Sequence, residues 1–127
     1  MSIRFGIDIQ SVRDIEESLQ IFGSKYLENV YDERECSHAL THPYTAARYL
    51  AGRFAAREAI LKLLNTHDAL AMWNDVVLND VYRSTIVQLR GEAQRTATAR
   101  GITEIQLCIA SNRELATAVA MGEIVSQ

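Results

Sequence analysis

Cysteine is scarce in this chain of 127 residues: Cys36 and Cys108 stand in different segments without a CxxC spacing, which argues against a disulfide framework or a cysteine-built zinc site. There is one proline, Pro43, and no Pro/Gly/Ser-rich tract, internal repeat or low-complexity stretch, so nothing marks a linker or a second domain. A basic excess is also missing. The formal net charge of −3 provides no field to concentrate the protein on nucleic acid or anionic lipid, so an anionic ligand must be held by a local constellation. No apolar run approaches membrane-spanning length and the first ten residues do not read as a secretion signal. The expectation is a soluble cytoplasmic protein with no membrane and no nucleic-acid partner.

What is present is an ordinary globular balance, 48% apolar and 23% charged, in a chain long enough for one core but too short for two. The expected unit is one domain over residues 1–127. Ile3, Phe5, Ile7 and Ile9 alternate with Arg4, Gly6 and Asp8, the period of a strand with a buried apolar face and Asp8 on the other. Ser11 reads as the cap of a helix with the stripe Val12, Ile15, Leu19 and Phe22, stopped by Gly23. Asp32 opens a short polar helix. A long helix is predicted from about Tyr44 to Leu64, rich in alanine, leucine and arginine. Trp73 and Val76–Leu78 begin a strand, and a turn around Asp80 to Ser84 leads to a second, Thr85–Leu89. A helix over Glu92–Arg100 ends at Gly101, and two apolar segments, Ile105–Ala110 and Leu115–Met121, flank a polar turn. The fold class is α+β, with an antiparallel sheet packed against the long helix.

On the long helix, Ala51, Ala55, Glu58 and Lys62 follow at spacings of four, three and four and share a face. By spacing alone, Glu58 and Lys62 form an intrahelical ion pair worth about 0.3–0.5 kcal/mol, and Asp8 is a residue at a strand end. His38, His42 and His67 show no ligand spacing and read as surface or packing residues.

The surrounding residues change the weight of these features. Gly6-Ile7-Asp8 and the run Arg53-Phe54-Ala55-Ala56-Arg57-Glu58-Ala59-Ile60-Leu61-Lys62 resemble the two signature motifs of the phosphopantetheinyl transferases. Tyr49-Leu50-Ala51-Gly52 ahead of the second motif, Val30 to Glu35, Trp73-Asn74-Asp75, Asn79-Asp80, Gly91-Glu92-Ala93, Arg100-Gly101-Ile102 and Leu107 to Ala110 extend the similarity to the short, holo-acyl-carrier-protein synthase branch over nearly the whole chain. This resemblance implies transfer of the 4'-phosphopantetheine arm of coenzyme A to a serine of an acyl carrier protein. It implies magnesium on Asp8 and Glu58, a hard cation suited to carboxylates and substrate phosphates. Glu58 and Lys62 take the catalytic roles, and Arg53, Lys62 and Thr66 the coenzyme contacts. A homotrimer with sites between subunits is implied as well. The alternatives are a non-catalytic relative that binds coenzyme A or a carrier protein, and a plain structural domain.

Several positions depart from the pattern of the branch. Arg57 replaces a lysine, Asn65 and His67 replace glycines, Arg83-Ser84-Thr85 stands for a Gly-Lys-Pro turn, and Ser111-Asn112 occupies the place of a histidine or aspartate. The first helix, where basic residues commonly meet an acidic carrier, has Arg13 but also Asp14, Glu16 and Glu17. Such a face suits a less acidic carrier, or docking through Arg48 and Arg53.

Overall fold

A computed structural model of the chain describes residues 2–125. In chain order it contains β1 (Ser2–Ser11), α1 (Val12–Phe22), α2 (Ser24–Val30), α3 (Glu33–Thr41), α4 (Ala46–Leu64), α5 (Ala69–Met72), a 3-10 turn (Trp73–Asp75), β2 (Val76–Val81), β3 (Ser84–Leu89), α6 (Gly91–Ala99), β4 (Ile102–Ser111) and β5 (Leu115–Ile124). The α+β class holds, with the strands in two antiparallel sheets: three strands in the order β1-β5-β4, and the hairpin β2-β3. Among the described residues no helix is long and apolar enough to cross a membrane.

Local chemistry sets the boundaries. Ser11 Oγ accepts the Asp14 amide at 3.4 Å, and Gly23, at φ 59°, stops α1 by donating its amide to Leu19 O at 2.9 Å. A reciprocal capping box starts α3: Asp32 Oδ1 accepts the Glu35 amide at 2.9 Å and Glu35 Oε1 accepts the Asp32 amide at 3.1 Å. At the end of α4, Asn65 adopts the left-handed conformation (φ 53°) that asparagine tolerates best after glycine, and the Arg100 guanidinium donates to the carbonyls of Leu64 and Asn65. The hairpin turns at Tyr82, also left-handed (φ 59°), so the departure at Arg83-Ser84-Thr85 still closes a turn.

Helix α4 is buried on almost every side and forms the centre of the molecule. Its small residues Ala51, Ala55 and Ala59 meet an equally small row on β5, Ala116, Ala118, Ala120 and Gly122, all buried. Gly6 on β1 pairs with Ala120 and lies so close to α4 that an added Cβ would stand 1.8 Å from Ala59 O. The strand can therefore rest on the helix backbone only because position 6 lacks a side chain.

The orientation of β1 corrects the sequence expectation. Alternation is as predicted, but Gly6 and Asp8 face α4, while Ile3, Phe5, Ile7 and Ile9 are 52%, 58%, 54% and 63% exposed. Periodicity fixes which residues share a face and not which face is covered. Here close packing on α4 demands the small residue. Smaller corrections concern Trp73–Asp75, a 3-10 turn rather than the start of a strand, the start of α4 at Ala46 rather than Tyr44, and α2 and α5, which the periodicity does not announce.

Gly6→Ala is expected to destabilise the fold by about 3 kcal/mol, at the upper end of ordinary overpacking because the obstacle is backbone. Urea unfolding of the variant against the parent protein measures the difference, and a loss below about 1 kcal/mol would show that β1 can shift away from α4.

Candidate active site

Once β1 rests on α4, Asp8 comes to the Glu58–Lys62 face of the helix. Lys62 Nζ donates to Asp8 Oδ1 at 2.8 Å and to Ile7 O at 3.1 Å, so the lysine bridges to the strand and makes no ion pair with Glu58. The expected intrahelical pair is thus replaced by a cross-element one. Asp8 is mostly covered and Lys62 about half exposed. The Glu58 carboxyl is pushed above its ordinary pKa by partial burial and then by the negative charge of Asp8, with Lys62 pulling the other way. Two carboxylates and one ammonium therefore share a half-open site.

This donor set suits a small hard cation. Two carboxylates whose repulsion is already felt by Glu58 gain from a divalent charge, and a cation that keeps waters needs few protein ligands. Among the described residues no cluster of three or more His, Cys, Asp or Glu forms a fuller metal cage. Asp8 and Glu58 are the residues that could hold such a cation.

Beside Glu58 opens a cavity of about 390 Å³ whose walls include Val30, Phe54, Ala69, Leu70 and Trp73, with Asn29 and Asn74 at its polar margin. It is mainly apolar and lies next to the acidic pair. Phe54 and Trp73 pack with ring centroids 4.9 Å apart, and the Trp73 indole donates to Val30 O at 2.7 Å, which ties the 3-10 turn to the end of α2. Sequence reasoning did not find this wall, because Trp73 and Val30 are far apart in the chain.

The other motif residues fall into a different environment. Arg53 is 4% exposed and its guanidinium is bound to Asp80, to Thr85 Oγ1 at 3.4 Å and to Glu35 at 3.7 Å, beneath the Tyr49 ring at 4.8 Å. Arg57 is buried too, and meets both Glu35 oxygens in a bidentate pair at 2.7 and 2.9 Å. Its planar fork uses the one respect in which arginine differs most from the lysine it replaces. Being buried, Arg53 does not offer the docking surface that its sequence position suggested. Arg48 is engaged as well, donating to Ser111 Oγ at 2.9 Å and Ser111 O at 2.6 Å. Asn112 Oδ1 accepts the amides of Glu114 and Leu115, each at 2.8 Å, so Asn112 builds the β4-β5 turn while Ser111, at the end of β4, receives Arg48. Thr66 Oγ1 accepts the Asp68 amide at 3.1 Å. His38 is stacked between His42 and Tyr49, a packing role.

Residues 4–120 match the 4'-phosphopantetheinyl transferase superfamily. The chain belongs to that family. It is 33% identical over its whole length to the holo-[acyl-carrier-protein] synthase of Desulforudis audaxviator, covering 98% of that protein, and 34% identical over 93% of its length to the one from Halothermothrix orenii, covering 94%. Among solved structures it resembles the acyl carrier protein synthase–coenzyme A complex of Chronobacterium ammoniagenes (TM-score 0.84, 26% identity, 99% and 100% of the two chains covered). It also resembles the Plasmodium yoelii holo-ACP synthase (TM-score 0.78, 27% identity, with 99% and 100% covered). This phosphopantetheinyl transferase is of the holo-acyl-carrier-protein synthase type.

Two outcomes are expected from the electrostatics of the site. Since its folded-state pKa is raised, Glu58 favours folding at pH below its unfolded value, and this contribution is lost as pH rises through the folded value. An NMR pH titration should find Glu58 above an ordinary glutamate, and Asp8→Asn, which removes the repelling charge and releases Lys62, should move it down. No downward movement would mean that Asp8 does not act on Glu58. Separately, Glu35→Ala leaves the buried Arg57 and Arg53 without their shared anion and should cost about 3–5 kcal/mol in urea unfolding.

Proposed function

We propose that the chain, acting as one transferase domain over residues 1–127, performs magnesium-dependent transfer of the 4'-phosphopantetheine arm of coenzyme A to a serine of an acyl carrier protein. The observation that carries this reading is the meeting of Asp8, Lys62 and Glu58 across β1 and α4. The serine oxygen attacks the pyrophosphate phosphorus next to the pantetheine arm. The bond to the other phosphate breaks, and adenosine 3',5'-bisphosphate leaves.

Asp8 and Glu58 would hold magnesium, which when bound would supply charge neutralisation for the pyrophosphate. Lys62, already anchored by Asp8, presents its ammonium at the same edge and can turn to a phosphate oxygen. Glu58, beside Asp8 and Lys62, is placed to accept the serine proton directly or through a water. Thr66 follows the end of α4 and adds a hydroxyl for the coenzyme. Arg53 reaches a coenzyme phosphate only by giving up Asp80, whose half-exposed carboxylate now pairs with the buried guanidinium. That pairing is the one observation that favours the second reading, a non-catalytic relative that binds coenzyme A or a carrier protein.

The exposed row Ile3, Phe5, Ile7 and Ile9 supports a homotrimer with sites between subunits. On the same outer face β5 adds Val119 and Met121, so the apolar area extends beyond one strand. Action in the cytoplasm, in fatty-acid synthesis, completes the reading.

Incubation with magnesium, coenzyme A and apo carrier proteins, followed by intact-mass measurement, should show carriers gaining one phosphopantetheine. Asp8→Asn and Glu58→Gln should each lower the rate by about 10² or more while leaving the fold intact. Coenzyme A binding without transfer to any carrier would favour the non-catalytic reading. Light scattering of the parent protein should give three times the chain mass, and Phe5→Asp with Ile7→Asp should give monomers.

A further inference from the structure

Asp80 and Thr85 face each other across the β2-β3 hairpin and close together over Arg53. The guanidinium donates to Asp80 Oδ2 and to Thr85 Oγ1 at 3.4 Å, and Thr85 Oγ1 donates in turn to Asp80 Oδ1 at 2.9 Å. Three side chains thus form a closed ring of hydrogen bonds. The ring depends on a departure from the branch pattern: Thr85 stands where the Gly-Lys-Pro turn has its proline, and proline has no hydroxyl to steer a carboxylate.

The two carboxylates at Arg53 differ in how firmly they are held. Glu35 is buried, lies 3.7 Å from Arg53 Nε and gives both of its oxygens to Arg57, while Arg53 Nε is buried without a hydrogen-bond partner. Among the described residues Asp80 is therefore the one carboxylate hydrogen-bonded to this guanidinium, and its side chain is 55% exposed. It stands beside the exposed hairpin tip, Val81 and Tyr82, so this end of the hairpin can move while Val76 and Leu78 stay in the core.

We infer that Asp80, oriented by Thr85, is an internal competitor of the coenzyme: its carboxylate occupies the place on Arg53 that a coenzyme phosphate takes, and the hairpin must release Arg53 before that phosphate binds. The inference rests on the transferase reading and adds to it a pair of residues that set affinity for the coenzyme. Carboxylate and phosphate meet a guanidinium fork in the same manner, so one excludes the other. Closed and open rings form a two-state equilibrium, and the apparent affinity for the coenzyme is the intrinsic affinity reduced by the open fraction.

Asp80→Asn keeps the size of the side chain and removes the competing charge. Titration calorimetry should show coenzyme A binding to this variant roughly tenfold more tightly than to the parent, the gain expected when the ring is open in about one molecule in ten. Thr85→Val, which keeps Asp80 and removes only the hydroxyl, should shift affinity in the same direction by about threefold. In turnover, Asp80→Asn should lower KM for coenzyme A by more than it changes kcat. Dephospho-coenzyme A identifies the displacing group: a gain confined to coenzyme A assigns it to the 3'-phosphate, and an equal gain for both assigns it to the pyrophosphate. Circular dichroism checks that the variants fold, and if Asp80→Asn does not, the Thr85→Val shift decides alone. Coenzyme A affinity unchanged or weakened in the folded variants would overturn the inference and make Asp80 a support that positions Arg53. Absence of coenzyme A binding by parent and variants alike would instead overturn the transferase reading, and the inference with it.

Discussion

The contact on which the site depends is between backbones: β1 lies on α4 at Gly6, where a Cβ would stand 1.8 Å from Ala59 O. A strand held off by a side chain would place Asp8 too far from the helix for Lys62 Nζ to bridge to it at 2.8 Å. The small rows on both sides, Ala51, Ala55 and Ala59 on α4 and Ala116, Ala118, Ala120 and Gly122 on β5, make that approach possible along the whole helix. Small residues reduce the apolar area each contact buries, and the larger core side chains Leu50, Ile60 and Leu64 compensate around the rest of α4. Stability and site geometry thus draw on different faces of one helix.

A second constraint is electrostatic. Glu35 closes the capping box of α3 and also receives Arg57, with Arg53 beside it, so one buried carboxylate joins the start of α3 to the middle of α4. Arg53 carries the connection on to Asp80 and Thr85 of the β2-β3 hairpin. Charges this deep contribute little net stability when paired and cost much when unpaired, so the cluster acts chiefly to fix where α3 and the hairpin sit on α4. Glu58 follows Arg57 directly, and the clamp on Arg57 therefore also fixes the rotation of the helix that presents Glu58.

The meeting of Asp8, Glu58 and Lys62 was legible in the sequence through the motifs around them, although helical spacing alone pointed to a Glu58–Lys62 pair that the fold replaces with Lys62–Asp8. Caps at Ser11 and Asp32 and stops at Gly23 and Gly101 were readable because each is a local choice among a few residue types. The burial of Arg53 and Arg57 was not, since the anion that permits it lies on another helix and no helix-surface rule reaches that far. The cavity wall was hidden for the same reason: Val30, Phe54 and Trp73 meet only after three elements have packed. Nor could alternation in β1 say which side would be covered, because that depends on what α4 can approach.

That side has a consequence for how assembly and chemistry are linked. Asp8 and its neighbours Ile7 and Ile9 are consecutive residues with opposite orientations, one toward Lys62, the others toward the open face of the sheet. A subunit seated on Ile7 and Ile9 would restrain the β1 backbone within a residue of Asp8, and Ile7 O is itself a partner of Lys62 at 3.1 Å. Ordering of the strand from outside therefore also orders the carboxylate and the ammonium inside, because alternation leaves no spare residue between the two faces.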